Sequence, residues 1–569
     1  MTRILMPYTR RSFVQGVAAA AALGSLGSWP GQLLAAGGGG SPHELSGTEF
    51  DLELAALPVN FTGRKSIATA VNGQVPGPLL RFHEGDTVNI RMTNHLSEPT
   101  AVHWHGLMVP PAMDGVPGIS FPGIAPGETF TYRFTVHQTG TYWYHAHTLH
   151  EQTGLYGAIV VVPREPDPVK ADRDYVVMLS DWTDEDPLAI YLKLKKQSDF
   201  YNFHQPDAGD FFRDVSAVGL AKAIEKRRMW NEGRMNPTDL GDVSGYTYTY
   251  LMNGANPASN WTGIFRPGER VRLRFIGAGT ATLFDVRIPG LKLTAVATDG
   301  QRVEPVEVDE FRIASGETYD VIVEPRENRP YTIFAQSMDR TGYARGTLAP
   351  RAGLEAEVPA LDRLVWLSPV DMMGSMGQTN PSGSSMPGMD MPTSPPVKVR
   401  HARTEYGAAV DMRVDSPRTN LDDPGVGLRD NGRRVLTYAD LHTLGGAPDK
   451  RAPGREIELH LTGNMDHFTW SIDGVKLSDA KPIHFVANER LRVVLLNDTM
   501  MTHPMHLHGM WMDLESPDAA FQVRKHTISV QPAQRVSFAV TADAPGRWAF
   551  HCHLLYHMAA GMFREVVVA

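Results

Sequence analysis

Cysteine is nearly absent from this chain: one residue, Cys552, among 569. A lone cysteine excludes an internal disulfide and any four-cysteine zinc or iron–sulfur site, so Cys552, if it acts chemically, is a metal ligand or a nucleophile. Strong positive charge is lacking too. The net charge is −9, and short basic clusters such as Lys226-Arg227-Arg228 sit beside acids and read as a solvated helix face. A general nucleic-acid binder is therefore not expected. No stretch reads as a membrane span, so no membrane anchor is expected. Acids are missing from two places: the first 36 residues, and residues 554–561, which follow the cysteine.

The acid-free start holds three arginines, with Thr9-Arg10-Arg11-Ser12-Phe13 ahead of a mild apolar run, Val14 to Leu26, and the small residues Leu34-Ala35-Ala36. Residues 1–36 read as a twin-arginine export signal handled by the twin-arginine export machinery, and a periplasmic location is expected. A disordered basic terminus is the competing reading. Removing the three arginines takes the net charge from −9 to −12. A chain of this length exceeds one core. Its 53 glycines and 41 prolines favour many turns and a β-rich fold.

The body of the chain repeats itself three times. Asn72-Gly73, Asn253-Gly254 and Asp473-Gly474 each open a segment with an alternating strand-like run, and the segments close at His105-Gly106, Pro289-Gly290 and His508-Gly509. The intervals between first and last glycine are 33, 36 and 35 residues. Each alternating run predicts a half-buried strand. The first and third copies continue in parallel, from Ala125-Pro126-Gly127-Glu128 to His145-Ala-His147, and from Gln531-Pro-Ala-Gln534 to His551-Cys-His553. The expected fold is all-β, three Greek-key sandwich or barrel domains over 45–165, 170–350 and 431–569. The middle domain carries an insertion at about 184–245 with a helical pattern from Val218 to Met235. It has Phe284-Asp285-Val286-Arg287 where the others have His-X-His, and so should hold no metal of its own. Residues 351–430 form a linker whose part 371–392 is low-complexity and predicted to be mobile.

Four histidine motifs carry the chemistry: His103-Trp-His105, His145-Ala-His147, His503-Pro-Met-His506-Leu-His508 and His551-Cys552-His553. Residues i and i+2 of a strand share a face, so each His-X-His offers two imidazoles side by side. If the first and third domains meet, eight imidazoles converge. Cys552 points the other way, toward His503, His557 and Met562. Two histidines, a cysteine and a weak axial methionine suit an electron-transferring copper. His150 and the remaining histidines are left outside the site.

These motifs resemble those of the multicopper oxidases over nearly the whole chain, and most closely the bacterial periplasmic copper-resistance oxidases. The closer resemblance rests on His553-Leu-Leu-Tyr-His-Met558, Glu151-Gln-Thr-Gly-Leu-Tyr-Gly157 and the methionine-rich insert. The resemblance implies three cupredoxin domains and four coppers: type 1 on His503, Cys552, His557 and Met562; type 2 on His103 and His506; the type 3 pair on His105, His145, His147, His508, His551 and His553. It implies oxidation of a reductant at type 1, with electrons arriving through an exposed edge of His503 or His557, and reduction of dioxygen to water at the histidine cluster. Asp114 matches the family's proton-relay acid. The acid that many members place near His557 is missing here. Glu151 is the candidate substitute, against the reading of a plain surface-loop acid.

Soft thioethers prefer Cu(I). Met372, Met373, Met376, Met386, Met389 and Met391 in the insert are candidate Cu(I) ligands. Met500, Met501, Met505, Met510 and Met512 around His503 read mainly as core, with one or two as a Cu(I) access point. The expected activity is oxidation of Cu(I), with laccase-like oxidation of phenols beside it, by a soluble monomer serving copper resistance. Copper sequestration by the insert, or a laccase acting chiefly on phenols, are the alternatives; a two-domain copper nitrite reductase fits three repeats and four paired motifs poorly. Cys552→Ser should abolish both the blue absorption band and oxidase turnover; a fully active variant would sink the mechanism.

Overall fold

The structure, a computed structural model, describes residues 43–232, 236–368, 371–372, 374 and 399–569. The export segment expected over 1–36 lies outside the described residues, as do Met373, Met376, Met386, Met389 and Met391. No helix among the described residues is long and apolar enough to cross a membrane.

Three β-sandwiches follow one another. In the first, a five-stranded sheet ordered Glu44–Ser46, Gly77–His83, Tyr156–Val162, Gly140–Ala146, Val102–His105 faces a four-stranded sheet ordered Ser66–Val71, Glu49–Val59, Thr87–Asn94, Thr129–Thr135. Phe50, Leu52, Leu80 and Phe82 from the two sheets share one core. The second sandwich pairs two six-stranded sheets, and the third a six- with a five-stranded sheet. Each copy pairs its long first strand in parallel with the strand that carries the alternating run: Glu49–Val59 with Thr87–Asn94, Arg173–Trp182 with Val271–Gly277, and Arg455–Asn464 with Arg490–Asn497.

The turn opening each copy is built alike. Both central residues have positive φ: Asn72 and Gly73 (49° and 70°), Asn253 and Gly254 (51° and 77°), Asp473 and Gly474 (54° and 69°). This is the tight hairpin turn that Asn-Gly and Asp-Gly favour. In each copy the turn's Asn or Asp accepts the backbone N–H of a neighbouring strand: Glu53 at 2.7 Å, Met178 at 2.7 Å and His460 at 2.8 Å. Chemistry that recurs at equivalent positions marks the three as one repeated unit.

The alternation expected of the marked strands holds only in the first copy. Thr87–Asn94 alternates between covered and open positions, whereas Val271–Gly277 is buried throughout and Arg490–Asn497 nearly so. The arginines of the second run are buried at the seam with the first sandwich. Arg272 pairs with Asp167 and Asp320, and Arg274 with Asp174 and Asp320, while Asp320 also accepts the Thr141 hydroxyl at 2.7 Å. Polar alternation thus survives, but its polar face meets a neighbouring domain rather than water. In Phe284–Arg287, Phe284 and Val286 enter the core, and Asp285 and Arg287 form buried ion pairs with Arg312, Arg340 and Glu310. Salt bridges stand where the other copies place imidazoles.

The insertion folds as three helices, Pro187–Lys196, Ala208–Val218 and Leu220–Glu232. The helical pattern expected from Val218 to Met235 corresponds to Leu220–Glu232, and Gly219, with a φ of 87°, separates it from the preceding helix. Met235 lies outside the described residues. Val435–Leu436, expected to belong to the third domain, instead pairs with Glu310–Ile313 as an edge strand of the second sandwich. Met372 is buried in the large apolar cluster, and the neighbouring Asp371 pairs with Arg429, so the start of the 371–392 segment is packed.

The second and third sandwiches are locked by a buried cation. The Lys525 ammonium is 3.1 Å from Asp299 Oδ2 and 3.2 Å from Glu317 Oε1 and donates to Thr298 Oγ1 at 2.8 Å. Removing one member of a buried ion pair strands the other charges and costs about 3–5 kcal/mol. Lys525→Met should therefore lower the thermal unfolding midpoint markedly; a melting curve superimposable on that of the parent protein would refute this lock.

Candidate metal centre

Four strands and one short helix position the motifs. These are β1 (Val102–His105), β2 (Gly140–Ala146), β3 (His503–Leu507), β4 (Gly546–Cys552) and α1 (Leu555–Ala560). β1 pairs with β2 so that His103 opposes His145, and β3 pairs with β4 so that His506 opposes His551. The first and third sandwiches thus present matching faces to each other. The His103 ring stacks on His508 and the His105 ring on His506, each with centroids 3.9 Å apart.

The eight imidazoles converge in three groups. His147, His508 and His551 meet through their Nε2 atoms, at 3.2 Å for His147–His551 and 3.0 Å for His508–His551. His105, His145 and His553 form a second group, with His105 Nδ1 3.1 Å from His553 Nε2. His103 and His506 each bind a backbone carbonyl through Nδ1, of Asp114 at 2.8 Å and of His526 at 2.6 Å. Their Nε2 atoms, like that of His145, are buried without a hydrogen-bond partner. Each such orphan costs about 1–3 kcal/mol. Burial, reinforced by neighbouring rings, pushes His105, His147, His506, His508 and His553 well below the usual histidine range, and burial takes His551 to about 3. Neutral rings with facing lone pairs cannot satisfy one another by hydrogen bonding alone. The donor set fits metal ions bridging these nitrogens.

Cys552 lies on the other side of β4. Its sulfur is 3.5 Å from His503 Nδ1 and 3.7 Å from His557 Nδ1, and the two nitrogens are 3.1 Å apart. Met562 is fully buried, and its carbonyl accepts the Cys552 N–H at 3.1 Å. Burial raises the Cys552 thiol well above its ordinary value, so a thiolate here needs a cation beside it. Two imidazoles and one sulfur suit copper. The His551 Nδ1–H donates to the Cys552 carbonyl at 2.9 Å, which adds a hydrogen-bonded link to the covalent one between the two sites.

The expectation of an exposed edge on His503 or His557 is overturned, because both rings are fully buried. His503 Nε2 meets Thr499 Oγ1 at 2.7 Å, and His557 Nε2 lies 3.0 Å from Asp242 Oδ2. Asp242 comes from the insertion. Asp239, three residues earlier, lines an open cleft of about 630 Å³ together with Asp199, Asp214, Met465 and Asp466. Met500, Met501, Met505, Met510 and Met512 are all buried in the core, so none offers a thioether to solvent.

The acids divide as follows. Asp114 is fully buried, with Oδ2 2.9 Å from His508 Nδ1 and Oδ1 3.3 Å from His103 Nδ1. Glu151, read against a plain surface-loop acid, is only 2% exposed and lies 3.0 Å from His145 Nδ1. The surface-loop reading falls, because the short turn Leu149–Glu151 folds back under β2. His150 stays outside, held by Thr100 and Thr148. Sequence reasoning missed four contacts: Asp242; Ser315, whose Oγ is 2.9 Å from His553 Nδ1; Thr527, 3.2 Å from His105 Nε2; and His526, buried against His105 and His506. Only backbone placement brings them in, and no motif marks them. The second sandwich also closes tightly here. A Cβ on Gly316 would lie 2.9 Å from His553 Cδ2 and 3.0 Å from His105 Cε1.

A carboxylate on the far nitrogen of a metal-binding imidazole fixes its tautomer, and losing it typically weakens metal binding 10–100-fold. Glu151→Ala should therefore lower copper retention and the type 3 absorption shoulder while sparing the blue band from Cys552. Unchanged copper content and an unchanged shoulder would overturn the role assigned to Glu151.

Three family models, each described as multicopper oxidase, match residues 54–166, 173–352 and 450–569. The chain is 54% identical to copper resistance protein A of Escherichia coli, over 99% of this chain and 100% of that protein. It is also 54% identical to copper resistance protein A of Pseudomonas syringae pv. tomato, over 98% and 99%. The solved laccase of Botrytis aclada shares the fold at a TM-score of 0.63 and 21% identity, covering 93% of this chain and 88% of the laccase. With three matching domains in order and histidine motifs that close on one buried centre, the chain belongs to the multicopper oxidase family and is a copper-dependent oxidase.

Proposed function

We propose that this protein oxidises Cu(I) to Cu(II) at the expense of dioxygen, in the periplasm and in the service of copper resistance, with phenols as secondary substrates. The observation that carries the reading is the contact of His557 with Asp242, three residues from Asp239 in the wall of an open cleft that also holds Asp199, Asp214, Asp466, Met465, Lys226 and Arg227. A cuprous ion is attracted by carboxylates and bound by a thioether, and Asp199, Asp466 and Met465 supply both at the cleft wall, where Lys226 and Arg227 are paired with Asp214. The similarity to two copper resistance proteins supports the physiological role. The arginine pair, Arg10-Arg11, ahead of a mild apolar run supports twin-arginine export.

Four coppers fit the donor set. His503, Cys552, His557 and Met562 would hold type 1. His103 and His506 would hold type 2 through the unpartnered Nε2 atoms. His105, His145 and His553 would hold one type 3 ion, and His147, His508 and His551 the other. Bound copper supplies one-electron redox chemistry, taking electrons singly at the cysteine site and delivering four to dioxygen at the histidine cluster.

The chain's own residues do the rest. Asp242 holds His557 Nε2 and lies three residues from Asp239 in the cleft wall. The backbone between Cys552 and its flanking histidines, with the His551–Cys552 hydrogen bond, gives electrons a short path. Asp114 orients His103 and His508 and is placed to relay protons to the cluster, while Glu151 orients His145 and is the second acid at hand. Burial of all eight rings, with Gly316 of the second sandwich packed against His105 and His553, keeps bulk water away from the cluster.

Oxygen uptake with Cu(I), compared with dimethoxyphenol, tests the substrate order. Cu(I) should be oxidised faster. Asp242→Asn should slow Cu(I) turnover about 10- to 150-fold, because a charge-assisted contact is worth about 1.5–3 kcal/mol. Fast phenol turnover with negligible Cu(I) oxidation would reverse the assignment.

A further inference from the structure

A second histidine–carboxylate cluster lies apart from the two sites above. His401 lies just before the short helical turn Arg403–Tyr406 and Glu405 within it, while His460 comes from the strand Arg455–Asn464 and Asp498 from the turn after Arg490–Asn497. Their side chains are 3%, 2%, 4% and 0% exposed. Glu405 Oε2 is 2.8 Å from His401 Nδ1 and 2.9 Å from His460 Nδ1. Asp498 Oδ2 is 2.9 Å from His460 Nδ1 and 3.6 Å from His401 Nδ1. Two imidazole nitrogens and two carboxylate oxygens, from three separate parts of the chain, thus lie within 4.8 Å of one another.

The groups behind these four atoms aim them inward. The other oxygen of each carboxylate is tied to the backbone, Glu405 Oε1 by the Ala402 N–H at 2.9 Å and Asp498 Oδ1 by the Val414 N–H at 2.7 Å. His460 Nε2 is braced by Glu458 at 3.3 Å. His401 Nε2 is buried without a hydrogen bond, with Asp415 Oδ1 3.5 Å away. Further carboxylates crowd the site, since Asp473 accepts the His460 N–H. The nearby arginines are engaged elsewhere: Arg413 on the Glu405 carbonyl and Arg535 on Glu458. Burial opposes charge on His460, yet hydrogen bonds to Asp498, Glu405 and Glu458 prevail and lift its pKa to about 11. Without a metal ion the positive charge at the centre is the His460 proton, which a bound cation would displace to leave both imidazoles neutral.

We propose that His401, Glu405, His460 and Asp498 form a further divalent-cation site, distinct from the histidine cluster and the cysteine site, for a borderline ion of the Zn(II) or Cu(II) class. Two neutral imidazoles and two carboxylates neutralise a dication and match the nitrogen–oxygen ligand sets of such ions. All-oxygen cages suit calcium and magnesium, and thioethers suit Cu(I). The ion would staple the segment that carries His401 and Glu405 to the third sandwich. It would sit one residue from Thr499, whose hydroxyl meets His503. The inference stands independently of the substrate proposed above.

The test uses the full-length, copper-loaded protein. Dialysis against Zn(II), an ion that thioethers hold poorly, should leave one extra zinc per chain by metal analysis and raise the thermal unfolding midpoint, with the blue band unchanged. A parallel dialysis against Cu(II) tells which ion is held more tightly. Glu405→Gln and His401→Gln should each lower retention of the extra ion more than about tenfold, by loss of one ligand. If the parent protein takes up no additional Zn(II) or Cu(II), or if both variants retain as much as it does, the cluster is a proton-bridged ion pair and the proposal falls. Should a variant lose its blue band through misfolding, uptake by the parent protein alone decides.

Discussion

The rest of the structure depends on eight buried imidazoles whose nitrogens face one another across the seam between the first and third sandwiches. Burial disfavours the charged form of His105, His147, His506, His508, His551 and His553, and nitrogens 3.0–3.2 Å apart cannot all be satisfied by hydrogen bonds among themselves. Cations bound at these nitrogens would satisfy them, with carboxylates, carbonyls and the hydroxyls of Ser315 and Thr527 holding far nitrogens of the rings. That requirement sets how the two sandwiches dock, with His103 on His508 and His105 on His506.

The middle sandwich takes its character from the same requirement. It carries no histidine pair of its own, and salt bridges fill the equivalent strand. Yet it clamps the seam. Lys525 is gripped by Asp299 and Glu317, Ser315 touches His553, and Gly316 leaves no room for a side chain against the cluster. Through its insertion it also supplies Asp242, which reaches the cysteine site from the cleft side. A domain without a histidine pair thus packs against both the histidine cluster and the cysteine site.

Much of the centre was legible because strand periodicity is local. His-X-His puts two rings on one face, and Cys552 between two such histidines must face away from them. The Asn-Gly and Asp-Gly turns carried the repeat, and all three adopt the same left-handed pair. The second layer was less legible. Glu151 was visible only as an acid near a motif, while its burial against His145 depends on a turn that folds back under the strand. Ser315, Thr527 and Asp242 lie in segments with no recognisable pattern. Burial of Val271–Gly277 on both faces was hidden because alternation reveals which face is polar, not whether water or another domain covers it.

The sequence by itself determined the all-β class, the threefold repeat, the loss of histidines from the middle copy and the identity of the sulfur and imidazole donors. Each is written in residues a few positions apart, where backbone geometry alone decides direction. Only the tertiary structure decided which rings share a group, which acid stands behind which nitrogen, that His503 and His557 are sealed from solvent, and that His401, Glu405, His460 and Asp498 meet. Those contacts join residues tens to hundreds of positions apart. Packing between sandwiches, not local periodicity, sets such distances.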